Sequence, residues 1–227
     1  MPTYLITGAN RGIGLALAKH LAARGDTVIA TAREQGKATE LAEVASRVEE
    51  LDVTDPASVS AFAERVTEPI DVLINNAGFY PNRGEPLDQI DTEAILRAFD
   101  VNAVGPVRVT RALLPRLRAG GHKKLVHITS VMGSLRSVDD ANQKRSIAYR
   151  ASKAALNMAA LLLSNELEPE GIISAMLHPG WVQTDMGGGK APLTTEQSAA
   201  GLVKVIDGLK PRDNGCFRDY QGKKIPW

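Results

Sequence analysis

The sequence predicts an α/β protein in which helices cover both faces of a doubly wound parallel sheet. Short apolar runs typical of strands alternate with longer stretches of helical spacing along the chain. A glycine-rich segment, residues 7–14, separates the first apolar run from the first helical stretch. The chain has 227 residues and contains no linker or low-complexity segment, so we expect one domain that spans residues 1–227.

Six strands and five main helices are predicted in alternation. The strands are expected at residues 4–6, 27–31, 48–52, 71–75, 125–129 and 172–177. The helices are expected near residues 13–24, 36–46, 56–66, 92–118 and 148–168. Another helical pattern begins at residues 194–196. In such a sheet, ligands bind outside the carboxyl ends of the strands, so the residues that follow each strand are the candidates for function.

The glycine-rich turn after the first strand has the form of a phosphate cradle. Its glycines, Gly8, Gly12 and Gly14, follow the spacing G-x-x-x-G-x-G and enclose Asn10, Arg11 and Ile13. Glycine permits a tight turn and a close approach of a phosphate to the backbone. The N-terminus of the following helix offers free N–H groups and a partial positive charge. A glycine-rich turn without a ligand is the alternative interpretation.

Composition excludes several other classes of function. The net charge of +1 gives no long-range attraction for nucleic acid or an acidic membrane. Cys216 is the single cysteine and forms no intrachain disulfide, which fits a reducing compartment. No apolar run approaches the roughly 18 residues that span a bilayer, and the first strand leaves no room for a signal peptide. We therefore expect a soluble cytoplasmic protein with no membrane span and no metal site.

Two arginines at the predicted strand ends favour NADP(H) over NAD(H). In nicotinamide-binding sheets, an acidic residue after the second strand accepts a hydrogen bond from the ribose hydroxyl, whereas arginine accommodates a 2′-phosphate. This chain has Ala32 and Arg33 there, and Arg11 lies within the glycine turn. Guanidinium groups bind phosphate through forked hydrogen bonds. Solvated arginines are the alternative, and Glu34 is the nearest contrary acidic residue.

Four polar residues could carry proton chemistry. Tyr149 and Lys153 lie four apart on a predicted helix, so they share one face. A nearby ammonium lowers the pKa of a tyrosine from about 10, which suits it to proton transfer at neutral pH. Ser130, after the fifth strand, could bind a substrate oxygen, and Asn102 could have a positioning role. The alternatives are a surface Tyr–Lys pair, a turn or capping serine, and a satisfied core amide.

Taken together, these segments resemble the short-chain dehydrogenases/reductases over about residues 3–186. The matching motifs are residues 7–14, Asn75-Asn76-Ala77-Gly78, Ser130, Tyr149-x-x-x-Lys153 and Pro179-Gly180, in that order. Residues 149–157, residues 178–182 and the tail at residues 220–227 are similar to the C-factor-like and sniffer-type carbonyl-reductase branch. The resemblance implies a Rossmann-type fold and an oxidoreductase that acts on CH–OH or C=O groups of a small molecule.

The resemblance also implies a role for each matching residue. Tyr149 would be the general acid, Lys153 the residue that holds the cofactor ribose and lowers the pKa of that tyrosine, and Ser130 the carbonyl-positioning residue. Asn102 would hold a water in the proton relay. The cofactor would bind the turn and the strand ends at Gly8, Asn10, Arg11, Gly12, Ile13, Gly14, Arg33, Asp52, Val53, Asn76, Ala77, Gly78, Tyr149, Lys153, Pro179, Gly180, Val182 and Thr184.

The chain differs from the family pattern in two segments, and two other functions are considered as alternatives. A polar insert at residues 137–145 lengthens the segment between Ser130 and Tyr149. The substrate lid, at about residues 185–194, is short, which favours an open site and a bulky or permissive substrate. The family implies a homodimer or homotetramer. The alternatives to an NADPH-dependent carbonyl reductase are an NADP(H)-binding signalling protein of the C-factor type and an NAD-linked alcohol dehydrogenase.

Overall fold

The computed structural model describes residues 1–81, 86–139 and 146–227. Within these ranges the chain forms one sheet of seven parallel strands in the order β3-β2-β1-β4-β5-β6-β7. The strands are β1 (Thr3–Ile6), β2 (Thr27–Ala32), β3 (Arg47–Glu50), β4 (Val72–Asn75), β5 (Lys124–Ile128), β6 (Ile173–His178) and β7 (Cys216–Asp219). The predicted doubly wound parallel sheet is therefore confirmed.

Seven α-helices connect the strands in the described ranges. They are α1 (Gly12–Ala23), α2 (Thr39–Ala42), α3 (Pro56–Arg65), α4 (Thr92–Phe99), α5 (Gly105–Ala119), α6 (Ile147–Leu167) and α7 (Thr195–Gly208). Short 3₁₀ segments occur at Gln35–Lys37, Leu87–Gln89, Val131–Gly133, Arg136–Asp139, Glu168–Glu170 and Pro211–Asp213. None of the described helices is both long enough and apolar enough to cross a membrane.

Alternation along the strands places a hydrophobic layer on each face of the sheet. In β1, the side chains of Tyr4 and Ile6 join one layer, which includes residues of α1 and α7. The side chain of Leu5 joins the other layer, which includes residues of α3 and α5. Successive side chains of a strand point to opposite faces, so both layers follow directly from the apolar sequence of the central strands.

Most predicted elements agree with the structure to within two residues, two predicted helices differ, and one strand was not predicted. The helix predicted at 36–46 is wrong in length, because only Thr39–Ala42 is α-helical. Gly36 lies in a 3₁₀ turn, and Ala38, at φ −95° and ψ 49°, is not helical. The helix predicted at 92–118 contains a π-helical segment, Asp100–Val104. Strand β7 was not predicted, because its sequence Cys-Phe-Arg-Asp shows little apolar alternation.

Candidate active site

The carboxyl ends of β1 and β4 mark the point where the strand order reverses. From β1 the chain builds the sheet outward through β2 and β3, and then returns to place β4 on the other side of β1. In open α/β sheets this reversal opens a crevice in which ligands bind. The glycine turn follows β1, and Asn76, Ala77 and Gly78 follow β4, so the structure brings these two predicted segments together.

Each glycine of the turn meets a specific steric requirement. Gly8 and Gly12 have φ values of +63° and +56°, in the left-handed region that other residues rarely adopt. At Gly14 a Cβ atom would lie 2.5 Å from the Asn76 side-chain nitrogen and 2.7 Å from the Gly8 carbonyl oxygen. The spacing of these glycines is therefore required by the turn itself and by its contact with the end of β4.

Hydrogen bonds join the turn to the segment after β4. The Asn76 Nδ2 donates to the carbonyl oxygens of Thr7 and Gly8, both at 2.9 Å. The Thr7 Oγ1 accepts from the backbone N–H groups of Asn76 and Ala77, at 3.0 and 3.1 Å. These four bonds fix the two sides of the crevice relative to each other.

The start of α1 fits an anionic group such as a pyrophosphate. Arg11 precedes the helix in extended conformation and its side chain makes no capping hydrogen bond, while the first turn contains no acidic residue. The first N–H groups of a helix have no partner within the helix and carry a partial positive charge. The guanidinium of Arg11 instead forms an exposed ion pair with Asp185, at 2.5 Å. This pair links the glycine turn to the predicted lid.

Arg33 is exposed directly after β2. Its charge acts on the carboxyl group of Asp52, which follows β3. Burial acts to raise the pKa of Asp52, but hydrogen bonds from Thr54 and the charge of Arg33 hold it below the usual value. Val53, the next predicted residue, is buried and its carbonyl accepts from Arg108 at 3.3 Å. Arg33 and Asp52 thus lie near each other, as the strand order requires.

Tyr149 and Lys153 are both buried on α6, at 8% and 4% exposure, so they are not a surface pair. The Lys153 Nζ lies 5.8 Å from the centroid of the Tyr149 ring. It donates a hydrogen bond of 2.9 Å to the carbonyl oxygen of Ile128, the last residue of β5. Burial lowers the pKa of Lys153 from 10.5 to about 8, since a low-dielectric surrounding disfavours the charged ammonium.

The pKa of Tyr149 differs from the sequence-based expectation. The spacing on the helix predicts that Lys153 lowers this pKa, but burial holds the pKa of Tyr149 above the usual value for a tyrosine. A hydrogen bond with Ser130 acts to lower this pKa, and the neighbouring Tyr80 acts to raise it. The physical reason is desolvation, because the phenolate loses more hydration in this surrounding than the hydrogen bond restores.

Ser130 is a capping serine in the structure, which agrees with the alternative interpretation of this residue. Its Oγ accepts a hydrogen bond of 3.1 Å from the backbone N–H of Met132, so it caps the 3₁₀ segment Val131–Gly133. It also interacts with the hydroxyl of Tyr149. The end of β5 is tied to α6 by Thr129, whose Oγ1 donates to the Asn157 Oδ1 at 2.7 Å. Ser130 is therefore held beside Tyr149.

Asn102 lies at the centre of the π-helical segment and is completely buried. Its Nδ2 donates to the carbonyl oxygen of Phe79 at 2.7 Å and to the Ser152 Oγ at 2.9 Å. Its Oδ1 accepts from the Phe79 N–H at 2.8 Å. The amide is thus satisfied within the protein, as in the core-amide alternative, and it connects the segment after β4 to α6. π-helical segments within helices occur frequently at functional sites.

The segment after β6 packs against α7 and against the glycine turn. The carbonyl oxygen of Pro179 accepts from the Ser198 Oγ at 2.7 Å. Gly180 has a φ of +87°, and a Cβ atom there would lie 2.4 Å from Leu193 Cδ1. Val182 is buried, and Thr184 packs against Gly12, where a Cβ atom would lie 3.3 Å from Thr184 Cγ2. Thr184 therefore brings the segment after β6 to the glycine turn.

Two residues near the catalytic candidates were not predicted. The ring of Tyr80 stacks on Tyr149 with centroids 4.3 Å apart. His127 on β5 is completely buried, and burial followed by the charge of Lys153 lowers its pKa to about 3. Its position within a strand gave the only signal, a polar residue in an apolar run. Part of the polar insert at 137–145 forms the end of the 3₁₀ segment Arg136–Asp139, and residues 140–145 lie outside the described residues.

The depressed pKa of Lys153 predicts a pH-dependent stability. Between pH 8 and 10.5 the unfolded chain binds more protons at this lysine than the folded protein, so the free energy of unfolding rises with pH. Lys153→Met removes this dependence. The free energy of unfolding, measured in urea, should therefore rise from pH 7.5 to pH 10 in the wild type and not in the variant. Over this range the variant should become less stable relative to the wild type by on the order of 1–3 kcal/mol.

The matched control is Lys204→Met, which removes an exposed lysine of α7 and should show no such change. The loss of the hydrogen bond to Ile128 affects the Lys153 variant at every pH, so the change with pH is the diagnostic quantity. If the free energies of unfolding of the wild type and Lys153→Met differ by the same amount at every pH from 7.5 to 10, the pKa of Lys153 is not lowered by burial.

Comparison with known proteins assigns the chain to a family. Residues 2–192 match the family model for short chain dehydrogenases. The chain is 51% identical to the C-signal of Myxococcus xanthus over 168 residues, 74% of this chain and 99% of that protein.

Two solved structures align over the whole chain. The NADPH-bound carbonyl reductase from chicken fatty liver has 33% identity, a TM-score of 0.92 and 99% of its chain covered. The carbonyl reductase Sniffer of D. melanogaster has 32% identity, a TM-score of 0.94 and 100% covered. The protein therefore belongs to the short-chain dehydrogenase/reductase family of oxidoreductases.

Proposed function

We propose that the protein is an NADPH-dependent carbonyl reductase that converts an aldehyde or ketone to the alcohol. The observation that carries this proposal is the buried group of Ser130, Tyr149 and Lys153 next to Gly78, where a Cβ atom would lie 3.9 Å from the Lys153 Nζ. A buried ammonium next to a buried phenol is costly for the fold, and perturbed titratable groups of this kind are concentrated at catalytic sites. Similarity to the carbonyl reductases of chicken and D. melanogaster supports the same proposal.

The residues present fit a nicotinamide dinucleotide. The left-handed glycines and the uncapped start of α1 would hold the pyrophosphate, with Asn10 and Ile13 in the same turn. Asp52, Val53, Asn76, Ala77 and Gly78 would border the adenosine and its ribose, and Pro179, Gly180, Val182 and Thr184 the nicotinamide end. When bound, NADPH supplies the hydride that the carbonyl carbon accepts. The protein supplies binding, orientation and the proton.

The chain's own residues would handle the carbonyl oxygen. Ser130 would donate a hydrogen bond to it and orient it toward Tyr149. The O–H bond of Tyr149 would then break as the O–H bond of the alcohol forms, which leaves a phenolate in a buried site. The ammonium of Lys153 stabilises that phenolate through its charge, because opposite charges attract more strongly where water is excluded. Lys153 would also bind the cofactor ribose, and Asn102 would position the segment that carries Phe79.

We propose NADP(H) over NAD(H) as the cofactor. The exposed guanidinium of Arg33 after β2 is available to a 2′-phosphate, and Ala32 offers no acidic side chain to a ribose hydroxyl. Arg11 is the second candidate, once its exposed ion pair with Asp185 exchanges for a phosphate. Exposed ion pairs contribute little to stability, so this exchange costs little. A related solved structure contains NADPH.

A signalling or regulatory protein that binds NADP(H) is the second candidate function. The 51% identity to the Myxococcus xanthus C-signal favours it. It predicts a cofactor-dependent partner whose binding persists in Tyr149→Phe, whereas the carbonyl-reductase proposal assigns that residue to turnover. An NAD-linked alcohol dehydrogenase is the third candidate, and comparison of the affinities for NADPH and NADH distinguishes it from the first.

The same proposal includes the lid, the domain organisation, the location, the substrate and the assembly of the protein. Residues 185–194 would act as a short lid over the substrate, residues 1–227 would form one domain, and the protein would be cytoplasmic. A small carbonyl compound or alcohol would be its substrate. A homodimer or homotetramer is the assembly that family membership favours.

Tyr149→Phe should abolish turnover and leave cofactor binding intact. The substitution removes the proton donor and keeps the ring, so kcat with NADPH and an aromatic aldehyde should fall by about 10²- to 10⁴-fold. NADPH affinity, measured by fluorescence titration, should stay within a few-fold of wild type. Tyr4→Phe, at a buried tyrosine of β1 outside the crevice, is the matched control and should keep activity. Full activity of Tyr149→Phe would refute its assignment as the acid.

Arg33→Ala should weaken NADPH binding and leave NADH binding nearly unchanged. Loss of a charge-assisted hydrogen bond costs about 1.5–3 kcal/mol, which corresponds to roughly 10- to 100-fold in the NADPH dissociation constant. Lys37→Ala removes another exposed cation of the segment after β2 and is the matched control. Equal affinities of the wild type for NADPH and NADH would contradict the phosphate-site assignment and favour NAD-linked chemistry.

A further inference from the structure

Tyr80 lies against the proposed acid but belongs to none of the predicted motifs. It follows Gly78 by two positions, in the segment between β4 and α4. Its ring stacks on the ring of Tyr149 with a centroid distance of 4.3 Å and an interplanar angle of 21°. Stacked aromatic pairs have a preferred geometry, so the orientation of each ring restricts the orientation of the other.

The hydroxyl of Tyr80 is anchored at the start of α6. It forms a hydrogen bond of 2.8 Å with the Oγ of Ser146, the residue directly before the helix. Ser146 is buried and has a φ of +95°, in the left-handed region that residues other than glycine rarely adopt. Strained backbone of this kind is frequent at functional sites and persists only where the surroundings fix it. Here the strained residue holds the ring that faces Tyr149.

The backbone before Tyr80 is anchored as well. Asn102 binds both the N–H and the carbonyl oxygen of Phe79, at 2.8 and 2.7 Å. The guanidinium of Arg97 lies 5.5 Å from the centroid of the Phe79 ring. Tyr80 is thus fixed through its preceding residue on one side and through its hydroxyl on the other, while its ring covers Tyr149.

We propose that Tyr80 is a positioning residue for Tyr149, and that it holds the phenol ring of the acid in the orientation required for proton transfer. The inference deepens the proposed function and rests on it. Proton transfer requires donor and acceptor heavy atoms about 2.6–3.2 Å apart. A shift of about 1 Å in a reacting group can lower the rate by roughly 100-fold. A tyrosine ring that is free to tilt would spend most of its time outside this range.

The positioning role also has a pH signature. Among the residues that the structure describes, the titratable groups that face Tyr149 are Tyr80, from the segment after β4, and Lys153, from α6 itself. Removal of the Tyr80 ring exposes Tyr149 to water and removes a neighbour that raises its pKa, so this pKa should fall. Reduction requires the protonated phenol. The decline of kcat at alkaline pH should therefore begin at a lower pH in Tyr80→Leu.

The first test observes the ring directly and needs no activity. The chain contains four tyrosines, so ring-labelled tyrosine gives a spectrum that single Tyr→Phe substitutions can assign. In the full-length wild type, the ring signals of Tyr149 should be shifted upfield by the stacked ring and should report slow ring rotation. Tyr80→Phe should keep the upfield shift, and Tyr80→Leu should lose both features. Identical Tyr149 signals in wild type and Tyr80→Leu would overturn the proposal.

The second test separates positioning from structural support. With NADPH and an aromatic aldehyde, Tyr80→Leu should lower kcat by about 10- to 100-fold, and the KM for NADPH should remain unchanged. Tyr80→Phe should recover most of the rate, because it keeps the stack. A wild-type kcat and pH profile in Tyr80→Leu would overturn the proposal.

Two further outcomes have defined meanings. If Tyr80→Leu does not fold, Ser146→Ala removes only the hydroxyl anchor, and it should speed the ring rotation of Tyr149; unchanged rotation would count against the anchor and the proposal. If the wild type reduces no carbonyl compound, the proposed function fails, while the ring spectra still decide whether Tyr80 holds Tyr149.

Discussion

The buried ammonium of Lys153 is the constraint on which the candidate site depends. The side chain is 4% exposed, and it donates a hydrogen bond to the Ile128 carbonyl. Burial lowers the pKa of Lys153 and raises the pKa of Tyr149, so each group alone resists its charged form. In the proposed reaction the two charged forms would be compatible, because an ammonium and a phenolate attract each other in a site with little water. Proton donation by Tyr149 would therefore relieve the cost of burying Lys153.

The fold holds this pair in place through contacts between the strand ends and α6. Gly133 allows the segment after β5 to lie against α6, since a Cβ atom there would come within 2.8 Å of the Lys153 carbonyl carbon. Asn157 binds both Thr129 and the carbonyl oxygen of Gly133. Asn102, at the π-helical segment, joins the segment after β4 to Ser152 of α6. Hydrogen bonds from polar side chains within the helices thus hold the segments after β4 and β5 against α6.

The sequence predicted the sheet, the glycine turn and the cluster at the carboxyl ends, because apolar runs, glycines and strand order are local signals. It did not predict β7, whose four residues include one buried apolar side chain and owe their conformation to pairing with β6. It also missed Tyr80, because a loop aromatic carries no periodicity that reveals its partner. The pKa of Tyr149 could not be predicted from the spacing of Tyr149 and Lys153, because burial outweighs their proximity.

Transfer of a deuterium label shows whether the protein moves hydride from NADPH to a carbonyl carbon. The wild type would be incubated with an aromatic aldehyde and NADPH in which both hydrogens at C4 of nicotinamide are replaced by deuterium, and the product would be analysed by mass spectrometry. A carbonyl reductase should give an alcohol that carries one deuterium on the former carbonyl carbon, and Tyr149→Phe should give almost none. A contradicting result would be that NADPH binds tightly to the wild type but no deuterium reaches any of a panel of aldehydes and ketones. The protein would then not be a carbonyl reductase, and a role in cofactor-dependent partner recognition would gain support.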